Sequence, residues 1–311
     1  MRKYKRRRFI QGECMHIYQR SVKGYNLFYD LEDFIVFYTI VSVVSRNYNI
    51  TILEMCMMID HVHLLIMSDS LEEMSAFVRD YTSLFVLESN HEIGRKGPLF
   101  HKSFGSAPKK GSKKIRSAIV YIGNNPVEKK LCARAEQYRW NFLAYLENDF
   151  PFSAPVPGKF RSRSLQRAVK EVDRMAASDR HISYARLRRL MDGQSGNDKD
   201  FLIDYIISRY YPFNKDVLLS YYDGTDEMLH AMSSTTGSDY DIKEVYHAGS
   251  DSVYRDMINV VKHDLHIVPV RGVIVLPAEQ KAVIAGELQK KTNASKIQLA
   301  KFLHTTCRIC D

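Results

Sequence analysis

No stretch of this sequence is long and apolar enough to span a bilayer. The longest apolar run, Phe34 to Val44, falls well short of the roughly 20 residues a helical span needs. The basic N-terminus lacks the apolar continuation of a secretory signal, because Phe9 and Ile10 are followed by Gln11, Gly12 and Glu13. Cysteine is scarce: Cys14, Cys56, Cys132, Cys307 and Cys310 are too few and too scattered for a disulfide framework and fit a reducing, cytoplasmic setting. Cys307 and Cys310 form a CxxC without the second pair that a four-ligand structural zinc site needs, so they read as packing or incidental thiols. No repeat of solenoid period is found. With 45% hydrophobic and 26% charged residues over 311, the chain is an ordinary globular one, and at that length two domains are expected rather than one.

Acidic residues are missing where basic ones crowd. Residues 1–8 hold Arg2, Lys3, Lys5, Arg6, Arg7 and Arg8 and no acid. Residues 95–140 hold twelve Lys and Arg, among them Lys109, Lys110, Lys113, Lys114 and Arg116, against Glu128 and Glu136 alone. The formal net charge is +9, so these two stretches, at +6 and +10, leave the rest of the chain net acidic. Charge concentrated in this way is the electrostatic footprint of a polyanionic partner, although a single Lys run is commonly just solvated surface.

Periodicity then orders the chain. Glu13–Arg20, with Cys14, His16 and Tyr18 alternating, reads as a first strand. After a turn at Lys23-Gly24, Asp30 caps a helix carried by Phe34, Phe37, Tyr38, Val41 and Val44. Ile50–Met67 reads as one long central strand, apolar on both parities. Ser70 and Glu73 form a capping box for a second helix ending near Gly94. Leu99–Ser106 reads as another strand, 109–114 as a basic loop, and Ile115–Asn125 as a third helix closed by Pro126. The proline- and glycine-rich segment around 150–158 is the best linker, dividing an α+β domain over 1–150 from a mostly helical region over 161–311, with 151–160 between them.

The candidate chemistry sits in Asp60-His61-Val62-His63-Leu64. Alternation on a strand points His61 and His63 to the same side, a ready pair of metal ligands, although two satisfied structural histidines would look the same. Tyr121 and Asn125, four apart, share one face of the third helix. A tyrosine hydroxyl beside a divalent cation and basic groups can attack a phosphodiester, whereas one tyrosine of 19 can equally just fill space.

Taken together, the segments Met58–Ile66, Leu99–Phe104, Tyr121–Val127 and Tyr138–Phe142 resemble, in order and spacing, the single-tyrosine HUH transposases of the IS200-like superfamily, and within it the REP-associated branch. The resemblance covers roughly residues 10–150. It implies a ferredoxin-like domain with an antiparallel sheet, His61 and His63 on a central strand binding Mg²⁺ or Mn²⁺ with Asn125 as third ligand, and Tyr121 as nucleophile. It further implies cleavage of single-stranded or hairpin DNA through a 5′-phosphotyrosine link, that is, endonuclease and strand-transferase activity. Arg6, Arg7, Arg8, Lys109, Lys110, Lys113, Lys114 and Arg116 would contact the DNA, and a homodimer is compatible with this reading. A second reading is a catalytically silent hairpin-DNA or RNA-binding protein derived from such an enzyme. Two departures stand out: Ile59 occupies a position where members often have Pro, and Asn125 directly precedes Pro126, which disfavours helical geometry there. Near the end, 277–288 and 292–303 resemble the first two helices of a helix-turn-helix over 277–311, in which Lys296 and Arg308 would touch DNA backbone.

Overall fold

The computed structural model describes residues 8–234 and 251–306. Arg6, Arg7, Arg308 and the Cys307/Cys310 pair therefore lie outside the described residues. Among the described residues no helix is long and apolar enough to cross a membrane.

Strand β1 (Cys14–Arg20) is followed by helix α1 (Leu31–Ser45), strands β2 (Ile50–Met57) and β3 (His61–Ser68), helix α2 (Leu71–Glu92), strand β4 (Gly105–Lys109) and helix α3 (Gly111–Glu128). The four strands form one antiparallel sheet in the order β2-β3-β1-β4. With its helical crossovers this is the ferredoxin-like α+β arrangement, and the remaining described elements are helical. The single long strand expected over 50–67 is instead two strands of a hairpin, reversed at Met58–Asp60, where Met58 N–H donates to the His61 carbonyl. Met58 and Ile59 are apolar, so the reversal lacks the Asn-Gly or Gly-rich chemistry that usually announces one. The expected strand at 99–106 starts later, at Gly105, and the expected basic loop is the end of β4 plus the first turn of α3.

The sheet is covered on both faces. Met15, Ile17, Ile52, Met55, Val62, Leu64 and Ile66 face α1 and α2 and share their core. Cys14, Leu53, Cys56 and Leu65 face α3, packing with Ile115, Ala118, Ile119 and Ile122. Because β3 alternates, His61 and His63 lie on the α3 side with Leu65. The β2 edge is capped by the segment around Phe213, whose neighbour Asn214 donates its N–H to the Ile52 carbonyl at 2.8 Å.

Helix α1 is buried from Asp33 to Ser45 without an exposed face. A helix apolar all round is covered all round. Its second side is taken by α4 (Arg163–Ala177), α5 (Tyr184–Met191) and α6 (Gly196–Arg209), whose Leu165, Leu187, Ile206 and Ile207 join the same core. The polar groups of α1 are satisfied there too: Tyr38 Oη donates to the Ile207 carbonyl at 2.7 Å, and Thr39 Oγ1 accepts from Ile182 N–H at 3.1 Å. Beyond these come α7 (Lys215–Leu219), α8 (Thr225–Ser234), α9 (Ser252–Asn259), α10 (Ala278–Lys291) and α11 (Lys296–Phe302). Helices α9 to α11 build a third core that includes Tyr29 and Ile59, beside the β2–β3 turn. Helices α10 and α11 occupy the two positions expected of a helix-turn-helix start; most of any third helix falls outside the described residues.

Candidate metal and nucleophile site

Four side chains singled out in the sequence converge under α3. His61 starts β3, and His63 follows on the same face, fully buried. Helix α3 does not stop before Pro126 but runs through it to Glu128, so Asn125 is helical despite the following proline, whose missing N–H leaves a gap in the ladder. Asn125 thus sits one turn beyond Tyr121 on the side facing the sheet. Its amide spans both imidazoles: Oδ1 is 3.4 Å from His61 Nε2, and Nδ2 is 3.3 Å from His63 Nε2. The Tyr121 ring stands edge-on to His63 with centroids 5.5 Å apart, and it is only 6% exposed.

Two further residues complete the site. Asp60 Oδ1 lies 2.6 Å from His61 Nδ1. His16, on β1 and buried, places its Nε2 3.0 Å from His63 Nδ1. Each imidazole is therefore held at Nδ1 while its Nε2 faces Asn125, the arrangement that outer partners give to metal-binding histidines. Asp60 was visible in the pentad without a role. His16 was visible as an alternating strand residue, but its meeting with His63 depends on the β1–β3 register, which a single sequence does not display.

Electrostatics follow burial. Burial pushes His16 down to about 3, helped by the charge of Lys109, so it is neutral at ordinary pH. His63 is likewise held well below the usual imidazole range by burial, then by the nearby His61, His16 and Arg20. Burial pushes the Asp60 carboxyl up, but its bond to His61 and the charges of His61, Lys301 and Lys129 outweigh that and leave it low. Lys301 of α11 approaches Asp60 Oδ2 at 3.7 Å, so the C-terminal helices reach the rear of the site. Asp251, at the start of α9, is raised to about 6 by burial and by Asp60.

The donor set suits a divalent cation: two imidazole nitrogens and an amide oxygen, converging, with both histidines oriented from behind. Among the described residues no three His, Cys, Asp or Glu side chains cluster to hold a metal ion, so the third protein donor in such a site would be the Asn125 amide.

The basic residues do not all face outward. Arg8, Lys110, Lys113 and Lys114 are exposed at the open side of β4 and the start of α3 or on the chain leading into β1, whereas Lys109 is half-buried. Arg116 is partly exposed and engaged within the chain: it pairs with Glu227 and lies over the Tyr222 ring, 4.4 Å from its centroid. Lysine and Pro108 on an edge strand also guard against edge-to-edge pairing, a structural use for part of this charge.

Residues 12–125 match a family model described as "Transposase IS200 like", which spans the sheet, both histidines, Tyr121 and Asn125. The likeness that the motifs suggested therefore holds over the part of the chain that carries the site. No curated protein matches the chain. A solved structure of a REP-associated tyrosine transposase bound to a REP hairpin is similar at 18% identity, covering 46% of this chain and 82% of that one, with a TM-score of 0.39.

Proposed function

We propose that this chain, whose residues 12–125 carry the IS200-like transposase match, is a metal-dependent endonuclease and strand transferase for single-stranded or hairpin DNA, with Tyr121 as nucleophile. The observation that carries the reading is the convergence of His61, His63 and Asn125 beneath the helix face that presents Tyr121. His61 and His63 would hold Mg²⁺ or Mn²⁺ through Nε2, with Asn125 as the amide donor. The ion, when bound, offsets charge on the phosphoryl oxygens.

The residues of the chain do the rest. The phenolic oxygen of Tyr121 bonds to phosphorus as the bond to the 3′ oxygen breaks, giving a 5′-phosphotyrosine link and a free 3′-hydroxyl. The phosphotyrosine conserves the bond energy, so a 3′-hydroxyl of another strand reverses the step without a nucleotide cofactor. Asp60 and His16 keep the two imidazoles in place, and Arg8, Lys110, Lys113 and Lys114 offer charge to the backbone of the strand.

The test is covalent capture: protein, Mg²⁺ and hairpin-bearing oligonucleotides, resolved on a denaturing gel. A protein–DNA adduct that forms with wild type but not with Tyr121→Phe supports the reading. Absence of an adduct across candidate hairpins counts against it. The silent-binder reading is favoured by one observation, the burial of Tyr121, since a strand can reach the phenol only if the ring turns out or its cover opens. Equal DNA or RNA affinity with and without metal, together with no cleavage, would select that alternative.

A further inference from the structure

An imidazole is a metal ligand through the nitrogen that lacks the proton, and the partner of the other nitrogen decides which one that is. At His61 the partner is a carboxylate, Asp60, on the more open side of the site. At His63 it is His16, 1% exposed, with Nε2 3.0 Å from His63 Nδ1 and the two rings stacked at 5.1 Å. The contact is diagonal across the β1–β3 pair: His16 stands opposite Leu65, and His63 opposite Tyr18. Long side chains on one face of a sheet reach each other at this offset.

We propose that His16 is a positioning residue that accepts the Nδ1 proton of His63 and so leaves the Nε2 lone pair facing Asn125 and His61. For His63 Nε2 to be free, the proton sits on Nδ1, and the atom in front of it accepts. His16 Nε2 then carries a lone pair, and the His16 proton is on Nδ1. The choice of residue follows from depth. A carboxylate buried here would bring an unpaired charge into the interior, whereas a neutral imidazole accepts the same hydrogen bond without one. The site therefore has two unlike supports, a charged one behind its outer histidine and a neutral one behind its inner histidine. His16 also stands edge-on to the Tyr121 ring, with centroids 5.8 Å apart, so one side chain braces both the ligand and the nucleophile.

This rests on the metal-site reading above, and two measurements separate the two claims. The first is Mn²⁺ binding, read by the loss of the free-ion signal in electron paramagnetic resonance, for wild type, His16→Gln, His16→Phe and His61→Ala, with thermal unfolding run on each. His16→Phe should weaken Mn²⁺ roughly 10–100-fold, as loss of an outer partner does. His16→Gln, whose side-chain oxygen can accept the same bond, should restore most of the affinity. Unchanged Mn²⁺ affinity in folded His16→Phe, with binding lost in His61→Ala, overturns the role of His16 and leaves the metal site standing. The second measurement is nitrogen NMR of the His63 ring in metal-free wild type, which assigns its proton. A proton on Nδ1 supports the inference, and a proton on Nε2 overturns it. If wild type binds no Mn²⁺ through His61, the metal reading fails, and the position of the His63 proton still decides whether His16 sets that ring.

Discussion

Asp60 and His61 are neighbours in sequence and partners in space, with the carboxylate Oδ1 2.6 Å from the ring Nδ1. Adjacent residues rarely face each other along a strand. Here the pair sits where the β2–β3 turn ends, so the backbone is free to bring Asp60 round behind the ring.

Asp60→Ala should therefore weaken Mn²⁺ binding roughly 10–100-fold while the sheet stays folded. Calorimetric titration with Mn²⁺, beside a circular dichroism spectrum, checks it. Affinity equal to wild type would mean that His61 needs no support from this carboxylate.

Tyr121→Phe should abolish the covalent adduct and keep hairpin affinity within about fivefold, because a single hydroxyl contact is worth about 1 kcal/mol. Fluorescence polarisation reads binding and a denaturing gel reads the adduct. A surviving adduct moves the nucleophile to another residue.

Replacing Lys110, Lys113 and Lys114 together by Ala should weaken binding to single-stranded DNA and flatten its salt dependence. At roughly 0.7 per lost phosphate contact, the slope of log affinity against log salt should fall by about 2. An unchanged slope would place the nucleic-acid surface elsewhere.

Glu54 is 2% exposed on β2, and neither carboxylate oxygen finds a hydrogen bond among the described residues. Burial drives its carboxyl well above the usual range. Below the unfolded-state value both states are protonated and no cost arises. Above it the unfolded chain releases a proton that the folded one keeps, so stability falls as pH rises toward the folded value. Glu54→Met should stabilise the protein by about 1–3 kcal/mol near pH 7 and flatten the decline between mildly acidic and neutral pH. Thermal melts across that interval show whether the slope disappears.

Arg271 ties the C-terminal half to the first helix: its guanidinium is 3.0 Å from Asp33 Oδ1 and 2.8 Å from Ser89 Oγ, and it also meets Tyr184. Both charged residues are almost fully buried. Arg271→Met should cost about 3–5 kcal/mol, because Asp33 is left without its counter-charge. Urea unfolding gives the value, and a loss under 1 kcal/mol would show that the pair is dispensable.

The elements that sequence made legible are those with strong local signals. The helical spacing of Tyr184, Leu187, Leu190 and Met191 marks α5, and Ser70 caps α2 by accepting from Glu73 N–H at 3.0 Å, although the Glu73 carboxylate accepts from Asn49 N–H instead of closing the expected capping box. The four principal site residues were legible because two local rules, alternation in β3 and one-turn spacing in α3, select their faces. What stayed hidden was non-local or weakly signalled. The turn at Met58–Asp60 opens on two apolar residues, Met58 and Ile59, and has no glycine to announce it. Pro126 normally argues for a helix end, yet the helix runs through it to Glu128 with one ladder hydrogen bond missing. The His16–His63 contact depends on strand register, and the pairing of Arg116 depends on Glu227, 111 residues away.

The two-sided burial of α1 has a consequence for any attempt to trim the molecule. Severed in the proline cluster after Phe150, the front portion would keep His61, His63, Asn125 and Tyr121, yet lose the cover over Tyr38 and Thr39. Such a fragment would be sticky rather than minimal, with a raw oily flank. The later helices are thus part of the fold that holds the candidate site, not an appendage to it.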